Sequence, residues 1–196
     1  MSERNARNLL EALMEGAEAV IDLATESEAV KAVPVVGTAF KVLKGLDDLR
    51  SRVLMGKLHK FLSEPALREA LEAQRIREEI LNKPGRDQEI GEMLFLVLDK
   101  VTDMTKPVLL ARAYASYLEE LIDDFTFAAV AHAIDIAFLR DLLEFLNPAR
   151  GPDTTLWQQR LAAVGLLEVR DTSWNRKVIV YQETSLGEKF RLAIAF

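Results

Sequence analysis

Six prolines constrain what this chain can fold into. Pro34, Pro65, Pro84, Pro107, Pro148 and Pro152 all stand where the apolar periodicity breaks. A proline ring fixes φ and removes a backbone donor, so it suits the first turn of a helix and not its interior. Between the prolines, apolar residues recur at three- and four-residue steps, which predicts a succession of amphipathic helices. Residues 3–25 set Leu9, Leu10, Leu13, Ala17, Val20, Ile21 and Ala24 on one face. A second helix is predicted from Pro34 to Leu62, and a third over residues 65–81, where opposite charges at helical spacing suit a surface position. The run MLFLVL, residues 93–98, is apolar nearly all round and predicts a central helix buried on several sides. Pro107 opens the next helix. Asp123 or Asp124 can cap a further one reaching Leu146, with Phe127, Val130, Ile134, Phe138, Leu142 and Phe145 on its buried face.

After Asn147 the pattern changes. Asp153 can cap a short helix, TTLWQQRLAAV, that stops at Gly165 in the left-handed conformation common at helix ends. LLEVRD and KVIVYQ, separated by residues 172–176, predict a β-hairpin. Ser185 and Glu188 match a capping box opening a last helix. This order, with Tyr181-x-x-Thr184-x-x-Gly187-x-x-Phe190 after the hairpin, resembles the end of bacterial winged-helix domains. The expected fold is therefore mainly α: a multi-helix bundle over residues 1–146, followed by a small winged-helix-like module with one β-hairpin over 147–196.

Composition removes whole classes of chemistry. There is no cysteine, so disulfides, thiolate metal sites and cysteine nucleophiles are excluded. The two histidines, His59 and His132, are isolated, neither having a second His or a Cys at ligand spacing, so no metal or cofactor is expected. Around Gly37, Ala32 stands where a phosphate-binding loop needs its first glycine and Thr38 where it needs lysine. No G-x-S-x-G elbow is present, and EELIDDF lacks the spacing of a calcium loop. Glu119, Glu120, Asp123 and Asp124 read as a solvated helix end rather than an acid–base pair. The start, MSERNARNLLEALMEGAEAV, lacks the layout of a secretory signal and predicts a cytoplasmic protein. The uncharged stretches AVPVVGTAF and FTFAAVAHAI are too short to span a bilayer.

The net charge of −6 argues against coating nucleic acid through the overall field, but it is unevenly spread. Residues 147–196 carry seven basic and five acidic side chains, so the remainder holds all of the excess acid. The winged-helix resemblance implies DNA contact by Thr154, Thr155, Gln158, Gln159 and Arg160 on the helix before the hairpin, and by Arg170, Arg176 and Lys177 on the wing. Trp174, in the hairpin loop, is a candidate anchor for a partner. A second basic set, Lys41, Lys44, Arg52, Lys57 and Lys60, lines one side of the helix predicted from Pro34. It can meet an anionic membrane surface or pair with acidic neighbours inside the fold. Ahead of the ending, VPVVGTAFKVLKGLDDLRSRVLMGKLHKFL, EIGEMLFLVLDKVTDMTKPVLLARAYASYLE and IDIAFLRDLLEF resemble a widespread group of bacterial helical proteins. That likeness implies a fold and a bacterial cytoplasmic setting without a reaction. The expected function is non-enzymatic binding of another protein or of a second copy. DNA regulation and peripheral membrane association are the alternatives.

Overall fold

The computed structural model describes Asp22, Val30 and residues 33–43, 49–73, 84–147, 155–173 and 178–195. Among these the chain is mostly helical, with one antiparallel hairpin after the first eight helices. The helices are α1 (Pro34–Leu43), α2 (Leu49–Leu62), α3 (Pro65–Glu72), α4 (Pro84–Lys100), α5 (Lys106–Leu118), α6 (Asp124–Ile136), α7 (Leu139–Leu146) and α8 (Thr155–Ala163). Strands β1 (Leu167–Ser173) and β2 (Val178–Glu183) follow, and α9 (Ser185–Ala195) closes the described chain. Pro34, Pro65, Pro84 and Pro107 all lie in the first turn of a helix, as their missing donor requires. Residues 3–21 and 44–48 lie outside the described residues, so most of the first predicted helix and the middle of the second do too. The third helix stops at Glu72, and Ala73 leaves it with extended backbone.

The chain forms two compact units, residues 1–111 and 112–196, with the division inside α5. The boundary read from the sequence falls at 146/147 instead, since composition shifts there whereas packing groups α6 and α7 with the ending. In the first unit α1 and α2 pack on α4. Val35, Val36 and Ala39 of α1, Leu54, Leu58, Phe61 and Leu62 of α2, and Leu94, Val97 and Leu98 of α4 are buried. Gly91 permits the close approach of α1: a Cβ there would lie 2.4 Å from Pro34 Cβ and 2.8 Å from its carbonyl carbon. Burial of MLFLVL on several sides is not what the structure shows. Leu96 is 54% exposed, because α4 turns its opposite face to α1 and α2.

The second unit centres on Tyr114, Phe127, Phe145 and Phe190, all essentially inaccessible to solvent. Tyr114 and Tyr117 flank Phe127 at ring separations of 5.7 and 5.4 Å, and Phe190 meets Phe145 edge-on at 5.9 Å. Burying such side chains contributes about 1.5–3 kcal/mol each. The end of α9 is held by α5: Ser116 Oγ donates to Ala193 O at 2.9 Å and Arg112 Nη1 to Ile194 O at 3.5 Å, supplying donors to carbonyls that lack helical partners.

Asp123, not Asp124, caps α6, its Oδ1 accepting from Thr126 N at 2.7 Å. The helix expected to run from there to Leu146 is two. Ala137 and Phe138 are extended, with ψ of 151° and 134°, and α7 restarts at Leu139.

The ending has the expected order of helix, left-handed glycine, hairpin and helix. Gly165 has φ of 82°. Its N–H donates to Ala162 O and that of Leu166 to Leu161 O, while Leu161 and Leu166 are fully buried. The two hydrogen bonds are those of a Schellman ending. The strands pair from Leu167 with Glu183 to Ser173 with Val178, with a bulge at Arg170, and residues 174–177 lie outside the described residues. The helix cap is Thr184 rather than Ser185: its Oγ1 accepts from Gly187 N at 3.0 Å and donates to Gly165 O at 2.6 Å. Thr184 N also donates to Leu166 O at 3.1 Å. The Thr184–Gly187–Phe190 spacing thus caps α9, lets it approach the Gly165 turn, and drops a ring into the core.

Candidate functional site

Of the basic set on α1 and α2, Lys57 is turned inward rather than toward solvent. Lys57 is only 5% exposed, and its Nζ donates to Leu98 O at 2.8 Å and Asp99 O at 2.9 Å, at the end of α4. A helix C-terminus presents unpaired carbonyls and partial negative charge, which draws the lysine inward. Burial pushes the Lys57 ammonium below the usual lysine range, while nearby Asp99 opposes that fall. Arg50 makes a two-pronged ion pair with Asp99, and this bond holds the Asp99 carboxyl below the usual aspartate range. Arg52 is half-buried and Lys60 is exposed. Lys44 and the side chain of Lys41 lie outside the described residues. Within this segment Lys57 and Arg50 are held by the end of α4 in their own unit.

Of the residues assigned to DNA contact, Thr154, Arg176 and Lys177 lie outside the described residues, as does Trp174. Thr155 opens α8, but its side chain lies outside them too. Gln158 is half-buried; Gln159 and Arg170 are exposed, the latter at the bulge of β1. Arg160 is not available as a mobile cation for phosphate. Its Nε and Nη2 donate to Asp141 Oδ2 and Oδ1 at 2.6 and 2.7 Å, and its guanidinium lies 5.4 Å from the centre of the Phe138 ring. Such a fork-to-fork pair fixes the plane of the guanidinium, and the carboxylate raises its already high pKa. Asp141 is 2% exposed, and a carboxylate buried to that degree needs a hydrogen-bonded partner.

Two large apolar side chains beside this pair are exposed. Phe138 is 66% exposed and Leu156 63%. Leu156 lies one helical turn before Arg160 on the same face of α8, and Leu143 of α7 is 46% exposed. The arrangement is an immobilised arginine, a residue type enriched in protein-binding hot spots, beside two accessible hydrophobic side chains. Sequence periodicity assigned Phe138 to the buried face and passed over Asp141 and Leu156. Asp141 carried one signal, an acidic residue beside the apolar positions Leu142 and Phe145.

No group of three or more histidine, aspartate or glutamate side chains is placed to hold a metal ion among the described residues. His59 is half-buried in α2 and His132 exposed in α6. Asp123 serves as a helix cap, and its bond from Thr126 holds its carboxyl below the usual range. No described helix is long and apolar enough to cross a membrane. No family model, curated protein or solved structure matches this chain.

Proposed function

We propose that this chain is a non-enzymatic, cytoplasmic protein-interaction module that binds its partner through the surface formed by Phe138, Leu156 and Arg160. The observation that carries the reading is the chemistry of α8. The helix that the winged-helix resemblance would lay on DNA has its arginine neutralised by Asp141 and displays a leucine at the same face. An apolar side chain pays its full hydration cost until a partner covers it, whereas phosphate recognition needs uncommitted cations. Among the described residues assigned to DNA contact, Gln159 and Arg170 are exposed and support the reading of a DNA-binding regulator.

A photo-crosslinking residue placed at position 138 in the intact chain tests the proposal in cells. A discrete protein adduct is expected, lost when Leu156→Asp is added and far-UV ellipticity is unchanged. Adducts no different from those formed from exposed Glu69 of α3 would overturn it. A parallel anisotropy titration with duplex DNA addresses the regulator reading. Affinity that falls steeply with salt and needs Arg170 would favour that reading instead.

A further inference from the structure

The hairpin has two strand edges, and they differ. The β1 edge is interrupted by the bulge at Arg170 and carries Glu168, Arg170 and Asp171. Bulges and charges are the devices by which proteins block pairing at an open edge. From Val178 to Gln182, β2 has neither: the sequence VIVYQ is free of charge, proline and glycine and pairs with β1 without interruption along that stretch, the slip being confined to the other strand. Among the described residues the sheet has only these two strands, and none of them adds a third strand at the β2 edge. Adjacent residues Ile179 and Val180, which point to opposite faces, are 46% and 44% exposed, and Val169, across from Tyr181, is 50% exposed. Both faces of the strand therefore leave apolar surface in water beside an open edge.

We propose that β2 pairs antiparallel with β2 of a second copy of this chain, about a two-fold axis through Val180. The strand is self-complementary in that register. Val180 faces Val180 of the copy, Ile179 faces Tyr181, and Val178 faces Gln182, so all five uncharged residues are paired. Aromatic–β-branched pairs directly opposite each other are among the favourable cross-strand contacts. Shifting the axis by one residue in either direction leaves part of this stretch unpaired. Glu183, whose carboxylate is already bonded by Arg191 Nε at 2.9 Å, stays outside the pairing. A four-stranded sheet in the order β1-β2-β2-β1 results, with the bulged, charged β1 strands outermost. The pairing uses the outer edge of β2, whereas α8, which also packs on the hairpin, carries Leu156 and Arg160.

The test uses the full chain, whose lack of cysteine makes a single introduced thiol unambiguous. Residues directly opposite in an antiparallel pair have Cα atoms within the range a disulfide spans. Val180→Cys should therefore form an intermolecular disulfide about tenfold faster than Arg170→Cys on the other strand. In sedimentation velocity the unmodified chain should dimerise with concentration. Val180→Lys and Val180→Glu should each be monomeric, and their equimolar mixture should dimerise again. Three results would overturn the proposal: a monomer up to about 1 mM, a dimer that survives Val180→Lys, or equal crosslinking from positions 170 and 180. The thiol comparison stands even if a charged variant fails to fold.

Discussion

Replacing Gly187 by alanine tests the account of how α9 is joined to the turn before the hairpin. An added Cβ would lie 2.3 Å from Leu166 O and 2.7 Å from Glu183 Cγ, against about 3.3 Å for an ordinary close carbon–oxygen contact. The offending atom is backbone, and Leu166 O is held by Thr184 N. Relief therefore requires a shift of about 1 Å between α9 and the turn, straining the Thr184 bonds to Leu166 and Gly165. Overpacking costs about 1–3 kcal/mol and a weakened hydrogen bond about 1 kcal/mol more. Alanine returns at most about 1 kcal/mol of helix propensity. The net expectation is a loss of about 2 kcal/mol. Both tryptophans, Trp157 and Trp174, belong to the second unit, so their fluorescence during urea unfolding reports on it. With a slope of about 1–1.5 kcal/mol/M, the midpoint should fall by about 1.5–2 M. Gly37→Ala is the control, since a Cβ there meets nothing within 4 Å. It should stabilise by about 0.5–1 kcal/mol, followed by far-UV ellipticity. If Gly187→Ala left the midpoint unchanged or raised it, the close approach of α9 to Leu166 would be refuted.

Glu120 occupies the left-handed region with φ of 58° at the end of α5, where Leu121 N bonds Ser116 O. Glycine has no Cβ penalty there, so Glu120→Gly should raise stability by about 1 kcal/mol in thermal or urea unfolding. Lys57→Met should destabilise the first unit by about 1.5–3 kcal/mol, because two hydrogen bonds from a charged donor, one buried and one part-buried, are lost. Far-UV ellipticity during urea unfolding measures it, and no change would mean that the α4 carbonyls are satisfied otherwise. Asp99 supplies a pH signature. Its folded-state pKa is lowered by the Arg50 bond, so the unfolded chain binds the proton first as pH falls. The stabilisation is complete above the unfolded value of about 4 and drains away below it, toward the lower folded value. Arg50→Met should therefore flatten the acid limb of stability against pH, and an unchanged slope would contradict the pairing.

Much of the fold is legible because local chemistry and tertiary placement agree. Pro65 and Pro84 open helices since no other helical position tolerates them, and Gly165 ends α8 since its φ excludes most other residues. The alternation of LLEVRD and KVIVYQ is enough for a hairpin. The cap of α9 was misplaced by one residue because Thr184 and Ser185 are both good caps. The choice between them falls to Gly165 and Leu166, whose carbonyls accept from Thr184 and lie about twenty residues back in sequence. Lys57 was misplaced for a related reason. Its position on the polar side of α2 is local, while the carbonyls that draw it inward are forty-one residues away, at the end of α4.

The candidate surface was hidden more deeply, because the residues that form it obey the same pattern as the core. In an unbroken helix from Asp124 to Leu146, Ile134, Phe138, Leu142 and Phe145 would share one buried face. Neither proline nor glycine marks the break at Ala137 and Phe138, so no local rule anticipates it. Two residues of extended backbone turn α7 so that Leu142 and Phe145 remain inside, Asp141 joins them, and Phe138 moves into solvent. Burying Asp141 is costly unless it is paired, and Arg160 of α8 is the group that meets it, drawn onto Phe138 by the same geometry. One break in one helix thus converts a core phenylalanine and a surface arginine into an apolar surface with a fixed cation. Phe138→Ala should therefore cost little stability while removing binding, a separation that a core position would not allow.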